Sequence, residues 1–212
     1  MQGETVILVH GLWMNGLDMT VLRNRLDQQG YSTHCFTYPS MRQSPQTNAE
    51  ALQRYATEMD SAIQHFVCHS LGGLVLRHLY HLYPDRKPGK IVTLGTPHQN
   101  STAAMRLQRY RLGKRILGKS IECGLVGELP PWHGRGVLGS IAGTLRMGLG
   151  MLVPGIPRPN DGTVAVEETR LDGMQDHIAL PVSHFGMLLS GQVARQTIHF
   201  LQRGNFDHHT GK

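Results

Sequence analysis

The chain has 212 residues, 40% hydrophobic and 17% charged, enough for one domain with a substantial core and without the bias of disordered or repeat proteins. No apolar run reaches membrane-spanning length, and the opening residues "MQGETVILVHG" lack a basic leader and a small-residue cleavage site, so a cytoplasmic protein is expected. The formal net charge of +6 raises the question of an acidic partner such as nucleic acid or anionic lipid.

Thr5 to His10 is a short apolar run rich in β-branched residues that ends at a glycine, as a strand buried on both faces would. A helix is predicted over Met19 to Gln29, closed by Gly30, then a strand over Tyr31 to Pro39, a helix over Asn48 to Met59 and the strand "IQHFVCH". Beyond Ser70, "LGGLVLRHLYHLYP" has helical spacing and stops at Pro84, and "KIVTLGTPH" is the next strand. This alternation predicts an α/β fold, a mostly parallel sheet with right-handed crossovers and helices on both faces.

Gln99 to Leu129 reads as a helical excursion, so residues 1–212 form a single domain with a cap or lid insertion at about 99–135. Gly136 to Thr144 resumes a strand, a Gly/Pro-rich loop leads to "PNDGTVAVEE", and "DHIALPVSH" is the last strand before a helix running to about Arg203. The tail "GNFDHHTGK" is expected to fray.

Much of the positive charge falls in "MRLQRYRLGKRILGKS", where Arg106, Arg109, Arg111, Lys114, Arg115 and Lys119 alternate with leucine and isoleucine. As one helix this segment suits a solvated face, transient contact with an anionic bilayer, or an anionic substrate. No nucleic-acid-binding motif accompanies it, and no nucleic-acid partner is expected. Cys35, Cys68 and Cys123 are an odd number at no metal-ligand spacing, which predicts reduced thiols in or near the core and neither a metal site nor a disulfide framework.

Sheets of this type place their chemistry at the carboxyl ends of the strands. The residues there are His10 to Trp13, Ser70-Leu71, Thr96 to His98, Asp161-Gly162 and Ser183-His184. They contain a nucleophile, an acid and a base in the order Ser70, Asp161, His184. Together "HGLW", "CHSLGG", "TLGTPHQNS", "NDGTV" and "PVSHFGML" resemble the successive signatures of α/β-hydrolase lipases and esterases, including bacterial lipases and the deacylases of GPI-anchor inositol.

The resemblance implies a serine hydrolase cleaving carboxylic esters, with Ser70 as nucleophile, His184 as base and Asp161 orienting it. It needs no metal and no cofactor, and its substrate is a small ester or lipid. The amides of Leu12 and Leu71 are expected to form the oxyanion hole, with Gly11 turning the chain for Leu12. Trp13, Met14, His98 and Trp132 are expected to contact substrate, and Leu125, Val126, Leu129 and Trp132 either line an acyl pocket or form ordinary core. His10, His69 and also His98 are expected as hydrogen-bonding neighbours.

Cys68 stands where the G-x-S-x-G pattern has glycine, a small residue for a small one. As a rival nucleophile it lies within the strand, before the turn apex. Of the rival carboxylates Asp172, Asp176, Glu167 and Glu168, Asp176 stands at the amino end of the last strand and so falls at the opposite end of the sheet. The same triad also serves acyltransferases and thioesterases, and a hydrolase scaffold can bind a ligand without catalysis. The oligomeric state is left open.

Overall fold

The computed structural model describes residues 3–59, 61–86, 89–134, 136–148, 153 and 155–209. Six strands, β1 (Glu4–Val9), β2 (Ser32–Phe36), β3 (Ile63–His69), β4 (Lys90–Leu94), β5 (Val137–Gly143) and β6 (Asp176–Leu180), form one sheet in the order β2-β1-β3-β4-β5-β6. All five pairings are parallel. Strand order reverses between β1 and β3, which makes the crevice outside their carboxyl ends the topological switch point where such sheets bind ligands.

The apolar run of β1 is continuous because both of its faces are covered. Ile7 and Val9 enter one core cluster, with residues of α2 (Pro45–Thr57) and α3 (Leu71–Leu82). Val6 and Leu8 enter the other, with residues of α1 (Thr20–Asp27), α6 (Gly186–Leu189) and α7 (Gly191–Arg203).

Several bounds differ from the expected ones for local reasons. Helix α2 begins at Pro45, ahead of Asn48, because the Ser44 side chain caps it and proline fits the first helical position. Strand β4 stops at Leu94, since Gly95 has φ of 57° and turns the chain. The Gly/Pro-rich stretch before Pro159 includes residues 149–152 and 154, which lie outside the described residues.

Between β4 and β5 the basic stretch is not one helix but two, α4 (Thr102–Leu107) and α5 (Arg111–Leu117). They break at Arg109-Tyr110, and a Cβ on Gly113 would strike the Leu107 carbonyl, so the two helices fold tightly onto each other. The tail does not fray up to His209. Phe206 is 1% exposed, packs on Phe200 at 4.7 Å between ring centroids, and donates its N–H to Asp176 Oδ2 at 2.7 Å. An apolar ring near the end of a polar stretch finds a core position that local composition does not announce. Of the cysteines, Cys68 is buried, Cys35 is partly buried and Cys123 is exposed, so the last is not a core thiol.

Candidate active site

Strand β3 delivers Ser70 into a turn with φ of 53° and ψ of −120°, a left-handed strained conformation for a residue with a side chain. Two anchors hold it: Ser70 N–H donates to the Leu94 carbonyl at 2.8 Å, and Thr96 Oγ1 donates to the Ser70 carbonyl at 2.9 Å. The turn also requires glycine beyond it. A Cβ on Gly72 would collide with the Val9 carbonyl oxygen, and one on Gly73 with the Thr96 side chain. Cys68 lies buried in β3, and desolvation pushes its thiol pKa well up, which keeps it protonated and unreactive.

His184 and Asp161 meet from different elements. His184 Nδ1 lies 2.7 Å from Asp161 Oδ2, and the His184 N–H donates to the Asp161 carbonyl at 3.0 Å. Asp161 Oδ1 accepts from the N–H groups of Thr163 at 2.8 Å and Val164 at 2.7 Å, so the "NDGTV" turn holds a fully buried carboxylate by its own backbone. Gly162 has φ of 96°, and a Cβ there would meet the Met147 carbonyl. With Nδ1 engaged by the carboxylate, Nε2 is the ring nitrogen left to exchange a proton with a reacting group. Gly95 leaves room for the pair, since a Cβ on it would lie 3.0 Å from both Asp161 Oδ2 and His184 Nδ1.

Ser70 and His184 line one cavity of about 90 Å³, which also exposes His69, Trp13 and Met14. No hydrogen bond joins Ser70 Oγ to the imidazole in this structure. The apolar wall comes from Leu107, Leu117 and Leu125 of the β4–β5 segment and from Val153. Leu12 also lines the cavity, and Leu71 opens α3, where the first N–H groups have no intrahelical acceptor. Gly11 is required for space and not for its dihedral: a Cβ would lie 2.9 Å from His69 Nδ1 and 3.1 Å from Ser70 Cβ. The positive φ, 59°, falls on Trp13, fixed by donation from its N–H to Ser40 Oγ and from its Nε1–H to the Ile116 carbonyl.

His98 and Trp132 do not join this cavity. They line a second one with Arg77, Arg170 and Asp172. His98 is buried and shares a hydrogen bond with Thr93 Oγ1, its carbonyl accepts from Arg77, and Trp132 packs on Tyr80. Val126 and Leu129 pack against the core instead of lining the Ser70 cavity.

Burial disfavours the charged form of two histidines beside the site. Burial lowers the pKa of His10, which donates from Nδ1 to the Gly11 carbonyl and accepts from Tyr38 N–H at Nε2. Burial and then the neighbouring His184 lower that of His69 further. Thr96 and Ser40 carry structural roles at the site that their positions in the chain hinted at only for Thr96, just past a strand. Glu168 is buried too, and ties the Thr102 N–H of α4 to the Ala165 N–H beside the acid turn. Asp176, by contrast, pairs with His208. Among the described residues no group of His, Cys, Asp and Glu has the arrangement of a metal site.

The model of the alpha/beta hydrolase family matches residues 6–195, and the chain belongs to that family. Among solved structures it is similar to the mature lipase BlEst2 of Bacillus licheniformis, at 16% identity and a TM-score of 0.72 over 94% of this chain and 91% of that one. It is also similar to phospholipase PlaB from Legionella pneumophila, at 15% identity and a TM-score of 0.73 over 95% of this chain and 60% of that one. For the metagenomic carboxyl esterase MGS0156 the values are 16% and 0.66, over 86% of this chain and 64% of that one. The chain thus spans less than two thirds of the last two, and at these identities the likeness is one of fold. A comparison with curated proteins gives no match. Among the described residues no helix is long and apolar enough to cross a membrane.

Proposed function

We propose that the protein is a serine esterase or lipase that hydrolyses carboxylic esters through an acyl-Ser70 intermediate. The observation that carries this reading is the 2.7 Å contact of His184 with Asp161 at the cavity onto which the strained Ser70 turn opens. Ser70 Oγ attacks the ester carbonyl while His184 Nε2 takes its proton. The hydroxyl-to-imidazole bond this requires forms with substrate bound, as catalytic hydrogen bonds often tighten only in the Michaelis complex.

The carbonyl oxygen becomes an oxyanion and accepts from the Leu12 and Leu71 N–H groups, each worth on the order of 3 kcal/mol in such sites. As the ester C–O bond breaks, His184 returns the proton to the departing alcohol. Water then attacks the acyl-serine, giving a proton to Nε2, and as the acyl–Oγ bond breaks and the acid leaves, Nε2 passes that proton to Oγ and restores Ser70. Asp161 stays ionised throughout and stabilises the imidazolium.

The test is mass-spectrometric mapping of a fluorophosphonate adduct together with p-nitrophenyl ester turnover. The adduct is expected on Ser70. A folded Ser70→Ala protein that keeps more than about a tenth of the parent rate would overturn the mechanism, because removing a nucleophile costs several orders of magnitude.

A further inference from the structure

The net charge of +6 is the charge of one short stretch. Residues 106–119 hold six Arg and Lys and no Asp or Glu, so the rest of the chain carries 15 basic and 15 acidic residues and is neutral. None of these six side chains makes an ion pair or hydrogen bond among the described residues, and all six are exposed. Large apolar side chains stand exposed between them: Tyr110 at 69%, Leu112 at 68% and Ile116 at 40%.

The same two helices turn Leu107 and Leu117 inward to wall the Ser70 cavity, and the Ile116 carbonyl holds the indole of Trp13, itself 44% exposed on the cavity rim. The basic and apolar surface therefore lies over the cavity. A nucleic acid would pair with the cations but leave Leu112 and Ile116 without a partner. An anionic bilayer takes both, with lysine and arginine at the headgroups and apolar tips at the acyl boundary.

We propose that α4 and α5 form a docking surface for anionic lipid bilayers, seating the cavity mouth at the membrane interface. Docking does not depend on the chemistry at Ser70 and goes beyond the reading of that residue. A polybasic surface gains about fivefold in partitioning for each basic residue that reaches the headgroups, and loses it with salt.

The test is vesicle flotation of the full chain carrying Ser70→Ala, so that hydrolysis and docking are read separately. Vesicles of phosphatidylcholine are compared with vesicles that contain about a quarter phosphatidylglycerol. At least tenfold stronger binding to the anionic vesicles is expected, weakened by salt. An Arg111→Glu, Lys114→Glu, Arg115→Glu variant is expected to lose at least tenfold of that binding with an unchanged thermal unfolding midpoint. Tyr110→Ser with Leu112→Ser is expected to lose several-fold while keeping the salt dependence. Equal binding to both vesicle types, or binding indifferent to charge reversal, would overturn the proposal. So would equally tight binding of a DNA duplex that the Tyr110 and Leu112 changes leave untouched, which would assign the patch to nucleic acid.

Discussion

His69 donates from Nε2 to the main-chain carbonyl of His184 at 3.0 Å, so the residue before the proposed nucleophile grips the loop that carries the proposed base. Their rings lie 4.7 Å apart between centroids. This couples the two halves of the site through a side-chain to main-chain hydrogen bond. His69→Ala is expected to lower kcat for a soluble ester by up to about 100-fold with KM little changed, the effect of a displacement of about 1 Å. His69→Gln offers an amide N–H in a similar place and should recover much of the loss. Equal kcat for parent and alanine variant would remove the positioning role.

The carboxylate of Asp161 is held by backbone N–H groups on one oxygen and by the imidazole on the other. Asp161→Asn preserves the first set and presents an amide N–H to Nδ1, which drives the ring to the wrong tautomer. Turnover should fall by about 10⁴-fold, as wrong-tautomer variants of such triads do, with little change in stability. A fall of less than tenfold, measured with p-nitrophenyl acetate on protein of unchanged circular dichroism, would show that another carboxylate orients His184.

The His98 imidazole is pushed down to a pKa of about 3, first by burial and then by the charges of Arg77 and His177, from an unfolded value of 6.5. Between those values the unfolded chain binds a proton that the folded one refuses. Stability from this group is therefore complete above pH 6.5 and is lost progressively as pH falls toward 3. From pH 7 to pH 5 the loss is on the order of 2 kcal/mol, or roughly 1.5 pH units at 1.36 kcal/mol each. Urea unfolding at the two pH values should show that loss shrinking by a similar amount in His98→Gln. Identical pH dependence in both proteins would contradict the assignment.

At about 90 Å³ the Ser70 cavity is small beside the roughly 300–1,000 Å³ of typical ligand clefts. For monomeric substrates in solution, acetyl and butyryl p-nitrophenyl esters should therefore be hydrolysed faster than dodecanoyl or longer ones. Leu117→Ala cuts back the apolar wall, enlarges the cavity and should shift the optimum toward longer chains, read as the ratio of kcat/KM values across the series. An optimum that stays put would mean the acyl chain leaves by another route.

The parallel sheet and the turns that carry Ser70 and Asp161 were legible because each is written locally. Val6 to Val9 of β1 are an unbroken apolar run, the Ser70 turn is framed by Gly72 and Gly73, and Asn160-Asp161-Gly162 marks its turn in three letters. What failed was information about direction. His98 follows a strand at the functional end of the sheet, yet it lines a different cavity, and nothing in "GTPH" records which way the imidazole points. The basic stretch has leucines at helical spacing, and the break at Arg109-Tyr110 follows from the contact of Gly113 with Leu107, which no periodicity encodes. The docking of Phe206 depends on Asp176, 30 residues away.

The glycines of the Ser70 turn separate two kinds of freedom in this chain. With a Cβ on Gly72 meeting the backbone of β1 and one on Gly73 meeting Thr96, that corner admits almost no sequence variation without unseating the strand beneath it. Leu107, Leu117 and Leu125 instead come from a segment outside the sheet. A library seeking altered substrate range would find its tolerant positions there, while changes at the corner would be scored as failures to fold.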